Sequence, residues 1–271
     1  MIKLVASDLD GTLLLNGSQE PSEELFPLIR RLREKGIYFV AATGRQYANV
    51  KKMFEPVLSD VIFICENGAM AVMDDKVLYQ DLFEKELVLN ILNTIHEKED
   101  FEFTCSTKDY YYIRPKTDFY RHFITETKKF ICKEIQSFDE VTEPCMKMAV
   151  YRKGGMSKED IKFWVDSFKD HCTVVTSGMD WTDFIPFGTN KAKGLQTVCS
   201  ILGVDMDACA VFGDEFNDIA MLESVPYSFA MAHAKEKVKE AANYQVERVE
   251  PLLEKLIQAE GNIEEVLKNV Q

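Results

Sequence analysis

Two aspartates near the start of the chain are the residues best suited to chemistry. Asp8 and Asp10 stand in Ser7-Asp8-Leu9-Asp10-Gly11-Thr12, directly after the largely apolar run 2–5. In extended backbone, side chains two residues apart lean to the same side, so we expect the two carboxylates to lie together. Neighbouring carboxylates repel unless a cation lies between them, and their oxygens suit a hard cation such as Mg²⁺. Because Asp-X-Asp-Gly is also typical of an ordinary turn after a strand, the hypothesis needs support from other segments.

Three later segments supply that support. Thr43-Gly44-Arg45 follows the apolar run 37–42, and Gly213-Asp214-Glu215-Phe216-Asn217-Asp218 follows the apolar run 209–212. Lys191 begins a predicted helix that leads into the second of these runs. In an open parallel sheet, ligands bind at the carboxyl ends of the strands, so we expect these segments to converge on one site.

The chemistry that these side chains could share is phosphoryl transfer. Asp8 would attack phosphorus and form an aspartyl phosphate, while Asp10 would protonate the leaving oxygen and later take a proton from water. The Thr43 hydroxyl and backbone N–H groups at a helix start can hold phosphate oxygens. Lys191 would neutralise Asp8 and the transferring group, and Asp214 would complete the metal site. Lys193 remains an alternative to Lys191.

The elements that must position these residues follow a βαβ pattern. Short apolar runs predict buried strands at 2–6, 37–42 and 61–65, with helices at 22–35 and 46–54 between them. The pattern returns late in the chain, where we predict helices at 191–202, 217–222, 233–242 and 251–269 and strands at 209–212 and 227–230. This alternation predicts an α/β fold with a parallel sheet and right-handed crossovers.

The middle of the chain differs in character. It mixes predicted helices at 85–97, 118–130 and 157–169 with predicted strands at 101–105, 110–114, 146–152, 172–176 and 181–185. We therefore predict an α+β domain at 82–186, inserted between two parts of a core domain at 1–81 and 187–271.

Composition narrows the function classes. The 271 residues carry a net charge of −13, which argues against nucleic acid or an anionic membrane surface as the main partner. No apolar run reaches the roughly 20 residues that a membrane span needs. The seven cysteines form no Cys-x-x-Cys pair, so neither a zinc site nor a disulfide framework is expected. We expect a cytoplasmic protein without a signal peptide, either a monomer or a small homo-oligomer.

Together these segments resemble the four motifs of the haloacid dehalogenase superfamily. The motifs are Asp8-Leu9-Asp10-Gly11-Thr12, Ala42-Thr43-Gly44-Arg45, Asn190-Lys191 and Gly213-Asp214-Glu215-Phe216-Asn217-Asp218. The position of the insertion, with Glu66-Asn67-Gly68-Ala69 ahead of it, is similar to the Cof-type branch with a type IIB cap. The resemblance implies a Rossmann-like parallel-sheet core and an inserted α+β cap.

The resemblance also implies roles for individual residues. Asp8 would be the nucleophile and a Mg²⁺ ligand, and Asp10 the acid/base and a metal ligand through its backbone carbonyl. Thr43, Gly44, Lys191 and Asn217 would bind phosphate, Asp214 would bind the metal, and Asp218 would be a direct or indirect metal carboxylate. Arg45 and Asn67 are candidate substrate contacts, although Arg45 could equally form a structural ion pair and Asn67 could serve only a turn. Glu215, where many relatives have Gly, is given no role.

The function we expect is a Mg²⁺-dependent phosphatase of small phosphorylated metabolites, with sugar phosphates ahead of nucleotide-type or cofactor phosphates. Two alternatives stay open. A phosphomutase of the same superfamily would return the phosphoryl group to a sugar, and a non-catalytic regulatory protein would only bind phosphate.

Overall fold

The computed structural model describes residues 1–176 and 179–268. Its strands, in chain order, are β1 Leu4–Ser7, β2 Tyr38–Ala42, β3 Val61–Cys65, β4 Met70–Met73, β5 Lys76–Gln80, β6 Phe101–Ser106, β7 Tyr111–Ile113, β8 Cys132–Glu134, β9 Lys147–Arg152, β10 Thr173–Thr176, β11 Trp181–Ile185, β12 Cys209–Gly213, β13 Tyr227–Met231 and β14 Tyr244–Val246. Its α-helices are α1 Leu25–Glu34, α2 Tyr47–Met53, α3 Lys85–His96, α4 Asp118–His122, α5 Lys158–Phe168, α6 Lys191–Leu202, α7 Ile219–Glu223, α8 Glu236–Glu240, α9 Glu250–Gln258 and α10 Ile263–Leu267.

The chain forms two compact units. The described residues of the first are 1–45, 50–79 and 190–268, and those of the second are 46–49, 80–176 and 179–189. The domain boundaries predicted from the sequence, at residues 82 and 186, stay a prediction. Among the described residues, no helix combines the length and apolar character needed to cross a bilayer.

The first unit is built on an eight-stranded sheet in the order β14-β13-β12-β1-β2-β3-β4-β5. The neighbours from β14 to β3 are all parallel, as the βαβ pattern predicts. The strand β1 lies in the middle, between β12 and β2, and all four of its residues are buried. This places the loop after β1 at the centre of the sheet's carboxyl edge, which is where ligands bind in such folds.

Two features of this sheet were not predicted. The sheet is mixed, because β4 runs antiparallel to β3 at one edge. The turn Asp74-Asp75 joins β4 to β5, and both of its residues have positive φ, as two-residue hairpin turns of this kind require. Neither residue is glycine or asparagine, so the sequence carried no strong hairpin signal.

The predicted helix at 251–269 was wrong in its continuity. It is divided into α9 and α10 at Glu260 and Gly261, which have φ of 52° and 84°. A left-handed pair ends one helix and redirects the chain before the next begins. Residue 269 of that prediction, and residues 269–271 of the predicted core, lie outside the described residues.

The second unit contains a six-stranded sheet in the order β10-β11-β9-β6-β7-β8. It is antiparallel except for the pair β7–β8. One cluster of buried side chains joins α3 and α5 to this sheet, with Trp164 and Phe184 among its largest members. The predicted helix at 118–130 is shorter than expected, because α4 passes at Phe123 into a single π-helical turn, 123–127. The unit is the α+β arrangement that the sequence predicts.

Candidate active site

Asp8 occupies the first position after β1 and is almost completely buried. Its backbone N–H donates to the carbonyl of Phe212 at 3.0 Å, which extends the pairing of β1 with β12 by one residue. Its side chain is 7% exposed and accepts a hydrogen bond from Lys191 Nζ at 2.5 Å. A buried carboxylate needs such a partner, because an unpaired charge in the interior is expensive.

Lys191 links two of the acidic residues. As the first residue of α6 it lies behind the N-cap Asn190, whose side chain accepts from the backbone N–H of Lys193. Its fully buried ammonium also donates to Asp218 Oδ1 at 2.6 Å. The sequence-based choice between Lys191 and Lys193 is thus decided geometrically in favour of Lys191 as the lysine beside Asp8.

Asp214 joins this group from the end of β12. Its Oδ1 accepts from the Thr12 hydroxyl at 3.0 Å, and single carboxylate oxygens of Asp8, Asp214 and Asp218 all lie within 4.8 Å of one another. Gly11 makes room for it, since a Cβ there would lie 2.1 Å from Asp214 Oδ2. With φ of 86°, Gly11 also has a backbone conformation that other residues rarely adopt.

Asp218 is held entirely by protein donors. Its Oδ2 accepts from the backbone N–H groups of Asp214 and Glu215 at 3.0 and 3.1 Å, while its Oδ1 faces Lys191. It therefore shapes the loop that carries Asp214. Both of its oxygens are engaged in this way, and its side chain is completely buried.

Burial and mutual repulsion shift the acidities of this cluster. Desolvation raises the pKa of Asp8 well above its usual range, Lys191 opposes that rise, and Asp218 and Asp214 add to it. Desolvation also raises the pKa of Asp214, against the hydrogen bond from Thr12. Burial alone would lower the pKa of Lys191, but Asp218 and Asp8 outweigh it and raise the pKa. Carboxyl groups crowded in this way favour a bound cation.

Asp10 does not join this cluster. Its side chain is 55% exposed and faces Arg45, with Nε to Oδ2 at 2.8 Å and a second guanidinium nitrogen to Oδ1 at 2.5 Å. Asp10 is not one of the three carboxylates that lie within 4.8 Å of one another, so the acidic residue that accompanies Asp8 in that group is Asp214 and not Asp10. The pairing of β1 with β12 continues only as far as Asp8, so the strand alternation that predicted the direction of Asp10 is not established beyond that residue.

The predicted phosphate-binding residues form a second group. Thr43 is buried after β2, and its hydroxyl accepts from the backbone N–H of Arg45 at 3.1 Å. Asn217 Nδ2 donates to Asn67 Oδ1 at 3.0 Å, so the two amides fix each other. Gly44 lies under Asn67, because a Cβ on Gly44 would lie 2.8 Å from Asn67 Oδ1.

Three more side chains lie beside the cluster: Thr12, which the first motif contains, and His233 and Lys235, for which no role was predicted. Thr12 bonds to Asp214, and His233, just past β13, has Nε2 3.6 Å from Asp214 Oδ2. Lys235 Nζ donates to both carboxylate oxygens of Glu215 at 3.0 and 3.1 Å. The sequence did contain a signal for His233, because this residue lies just after the carboxyl end of the strand predicted at 227–230.

Comparison with known proteins agrees with this arrangement. Residues 5–250 match the model of the haloacid dehalogenase-like hydrolase family, and the chain therefore belongs to that family. It is 27% identical over 243 residues to 5-amino-6-(5-phospho-D-ribitylamino)uracil phosphatase YbjI of Escherichia coli, covering 90% of each chain. It is 28% identical over 248 residues to the phosphatase of the same name, YcsE, of Bacillus subtilis, covering 90% of this chain and 89% of the relative.

A solved structure supports the fold in detail. The crystal structure described as the HAD subclass IIB sugar phosphatase BT4131 superposes with a TM-score of 0.77 at 21% identity, covering 94% of this chain and 98% of that one. The predicted superfamily and the α/β fold are confirmed, and so is the prediction that the chain is an enzyme, a phosphatase of this family.

Proposed function

We propose that the protein is a Mg²⁺-dependent phosphatase that hydrolyses small phosphorylated metabolites through an aspartyl phosphate on Asp8. The observation that carries this proposal is the buried Asp8 carboxylate, paired with Lys191 and within 4.8 Å of Asp214 and Asp218. The group of three carboxylates and one lysine has a formal charge of −2 when ionised. A divalent cation would balance that charge.

The donor set fits Mg²⁺, which prefers oxygen ligands and keeps several waters. Asp8 and Asp214 would bind it through side-chain oxygens, and the backbone carbonyl of Asp10 would complete the protein ligands. Asp218 would act indirectly, because Lys191 and two backbone N–H groups already engage its oxygens. When bound, Mg²⁺ supplies neutralisation of the charge on the transferring phosphoryl group.

The residues of the chain would carry the two chemical steps. In the first, an Asp8 oxygen attacks phosphorus, the bond to the leaving oxygen breaks, and Asp10 gives that oxygen a proton. In the second, water attacks phosphorus, Asp10 takes a proton from it, and Asp8 leaves as a carboxylate. Lys191 keeps Asp8 oriented and lowers the repulsion between its oxygens and those of the phosphate.

The phosphate oxygens would be held by Thr43, the backbone at Gly44, Lys191 and Asn217. The hydrogen bond from Asn217 to Asn67 supports this assignment, because it holds the amide of an otherwise exposed side chain in one orientation. Asn67 would thereby act through Asn217. Fixed donors of this kind lose little conformational entropy when they bind a phosphate.

Sugar phosphates and related polyol phosphates are the substrate class we favour. Two relatives are named for a substrate in which a ribityl chain, a sugar alcohol, carries the phosphate, and BT4131 is described as a sugar phosphatase. All three names share a phosphate on a polyhydroxylated carbon chain. We therefore extend the predicted substrate class from sugar phosphates to phosphates on polyhydroxylated carbon chains, and we name no single compound as the substrate.

The test is a phosphate-release screen over phosphomonoesters, including 5-amino-6-(5-phospho-D-ribitylamino)uracil, sugar phosphates, nucleotides and pyridoxal phosphate. We expect Mg²⁺-dependent release that EDTA abolishes, that Asp8→Asn removes, and that the exposed-surface control Asp207→Asn leaves intact. Isomerised substrate without free phosphate would favour a mutase. Binding without any product in the presence of Mg²⁺ would favour a regulatory protein, and either result would overturn the proposal.

A further inference from the structure

Arg45 holds Asp10 by both oxygens of its carboxylate. The two contacts, at 2.8 and 2.5 Å, come from different guanidinium nitrogens and form the forked pair that arginine makes with carboxylates. The third nitrogen donates to Met53 Sδ at 3.8 Å, so all three nitrogens have a partner within the first unit. The Arg45 side chain is 24% exposed, against 55% for Asp10. Arg45, the more buried of the two residues, therefore holds the more exposed carboxylate of Asp10 in place.

This geometry leaves Asp10 able to accept a proton. A carboxylate has about four lone-pair sites, and the fork uses one on each oxygen. The remaining sites can accept from water while the side chain stays fixed. The backbone N–H of Arg45 also donates to the Thr43 hydroxyl, which ties the same residue to a proposed phosphate-binding group. Arg45 thus joins the proposed base to the proposed phosphate site.

We propose that Arg45 is a positioning residue for Asp10 in the hydrolysis of the phosphoenzyme, an inference that rests on the proposed function. In that step the water oxygen forms a bond to phosphorus, the bond between phosphorus and Asp8 breaks, and one water proton passes to Asp10. Hydrolysis is the step in which Asp10 accepts, and its oxygens are held by Arg45 in an accepting arrangement. Formation of the phosphoenzyme depends less on Arg45.

The experiment uses p-nitrophenyl phosphate with Mg²⁺, because its leaving group departs at neutral pH with little need of a proton. In Arg45→Met, we expect kcat to fall about 10- to 100-fold, which is less than the roughly 10²- to 10⁴-fold that a general acid–base group itself contributes, because Asp10 is still present. We expect kcat/KM to change less than about 3-fold, since it reports steps up to release of the leaving group. Stopped-flow mixing should show a burst of one nitrophenolate per enzyme before slow turnover.

Two further variants separate positioning from a structural role. Arg45→Lys keeps the positive charge and one donor nitrogen but loses the fork, and it should recover part of kcat. Arg31→Met removes a similar forked pair, with Glu254, away from the proposed site, and should change neither parameter. Circular dichroism checks that each variant folds.

Three results would count against the inference in different ways. Equal losses in kcat and kcat/KM, or a raised KM with kcat unchanged, would make Arg45 a substrate contact and overturn the positioning role. Unchanged kinetics would make the pair merely structural, which also overturns it. Absence of turnover by the wild type on every phosphomonoester of the screen, by contrast, would overturn the proposed function itself; if p-nitrophenyl phosphate alone fails, the same comparison of variants uses a substrate that the screen identifies.

Discussion

Replacing Lys191 by methionine removes a positive charge that contacts two buried carboxylates, those of Asp8 and Asp218. The Lys191 and Asp218 side chains are completely buried, and that of Asp8 is 7% exposed. Methionine fills a similar volume but leaves both carboxylates without their cation. Breaking a buried ion pair from one side typically costs about 3–5 kcal/mol. The equilibrium ratio of folded to unfolded protein should therefore fall by a factor of about 10²–10⁴.

The assay must report on the first unit. Both tryptophans, Trp164 and Trp181, lie in the second unit, so their fluorescence is unsuitable. Hydrogen exchange followed by mass spectrometry can instead monitor β1 and the amide of Asp8, which bonds to Phe212. We expect that segment to lose protection in Lys191→Met, and Mg²⁺ to restore part of it by replacing the missing charge.

Lys193→Met is the matched control. It lies two residues away, and its backbone N–H, which donates to Asn190, is retained in the variant. We expect it to leave protection of β1 close to the wild-type level. Equal protection of β1 in the wild type and Lys191→Met, or greater damage from Lys193→Met, would refute the reasoning that Lys191 balances the buried charges.

Three further predictions concern the metal site and the second unit. Gly11→Ala should abolish Mg²⁺ binding measured by calorimetry, since its Cβ would lie 2.1 Å from Asp214 Oδ2; wild-type affinity would contradict this. Because the pKa values of Asp8 and Asp214 are raised, protons should compete with Mg²⁺ above the pH range of ordinary carboxyl groups. Mg²⁺ affinity should accordingly fall on acidification and binding should release protons, whereas pH-independent affinity between pH ~5 and ~8 would be inconsistent with this. Lys116→Met should destabilise the second unit by about 1–3 kcal/mol in urea, read by tryptophan fluorescence, because Lys116 Nζ donates to three carbonyls near the end of α3; the exposed control Lys158→Met should not.

The motif positions were predictable because they depend on local signals with a simple geometric consequence. The apolar runs that precede Asp8, Thr43 and Asp214 predicted strands whose carboxyl ends lie together. The strand order β12-β1-β2 places these ends side by side. Lys191 needed one more assumption, that α6 begins beside this edge. Its contacts with Asp8 and Asp218 agree with that assumption.

The partners of individual side chains were less predictable. Asp8 and Asp10 are two residues apart, yet one faces Lys191 and the other Arg45, because the pairing of β1 with β12 continues only to Asp8. The direction of a side chain in a loop depends on contacts that are distant in sequence, which periodicity does not encode. The same holds for Glu215, whose carboxylate accepts a hydrogen bond from Lys235, 20 residues away.

The missed strands have a different physical origin. β8 and β14 contain three residues each, too few for alternation to show. The strands β4 and β5 belong to a hairpin whose turn residues are both aspartate at positive φ. Such elements are defined by their neighbours in the sheet more than by their own residues.

The most direct test of the central claim is to find where the phosphoryl group is carried. The enzyme should be mixed with Mg²⁺ and a phosphomonoester that the screen identifies, quenched in acid within the turnover time, digested and mapped by mass spectrometry. We predict a phosphoryl adduct on the peptide that contains Asp8, and no adduct or turnover in Asp8→Asn. An adduct on another residue such as His233, or turnover by Asp8→Asn, would contradict the account.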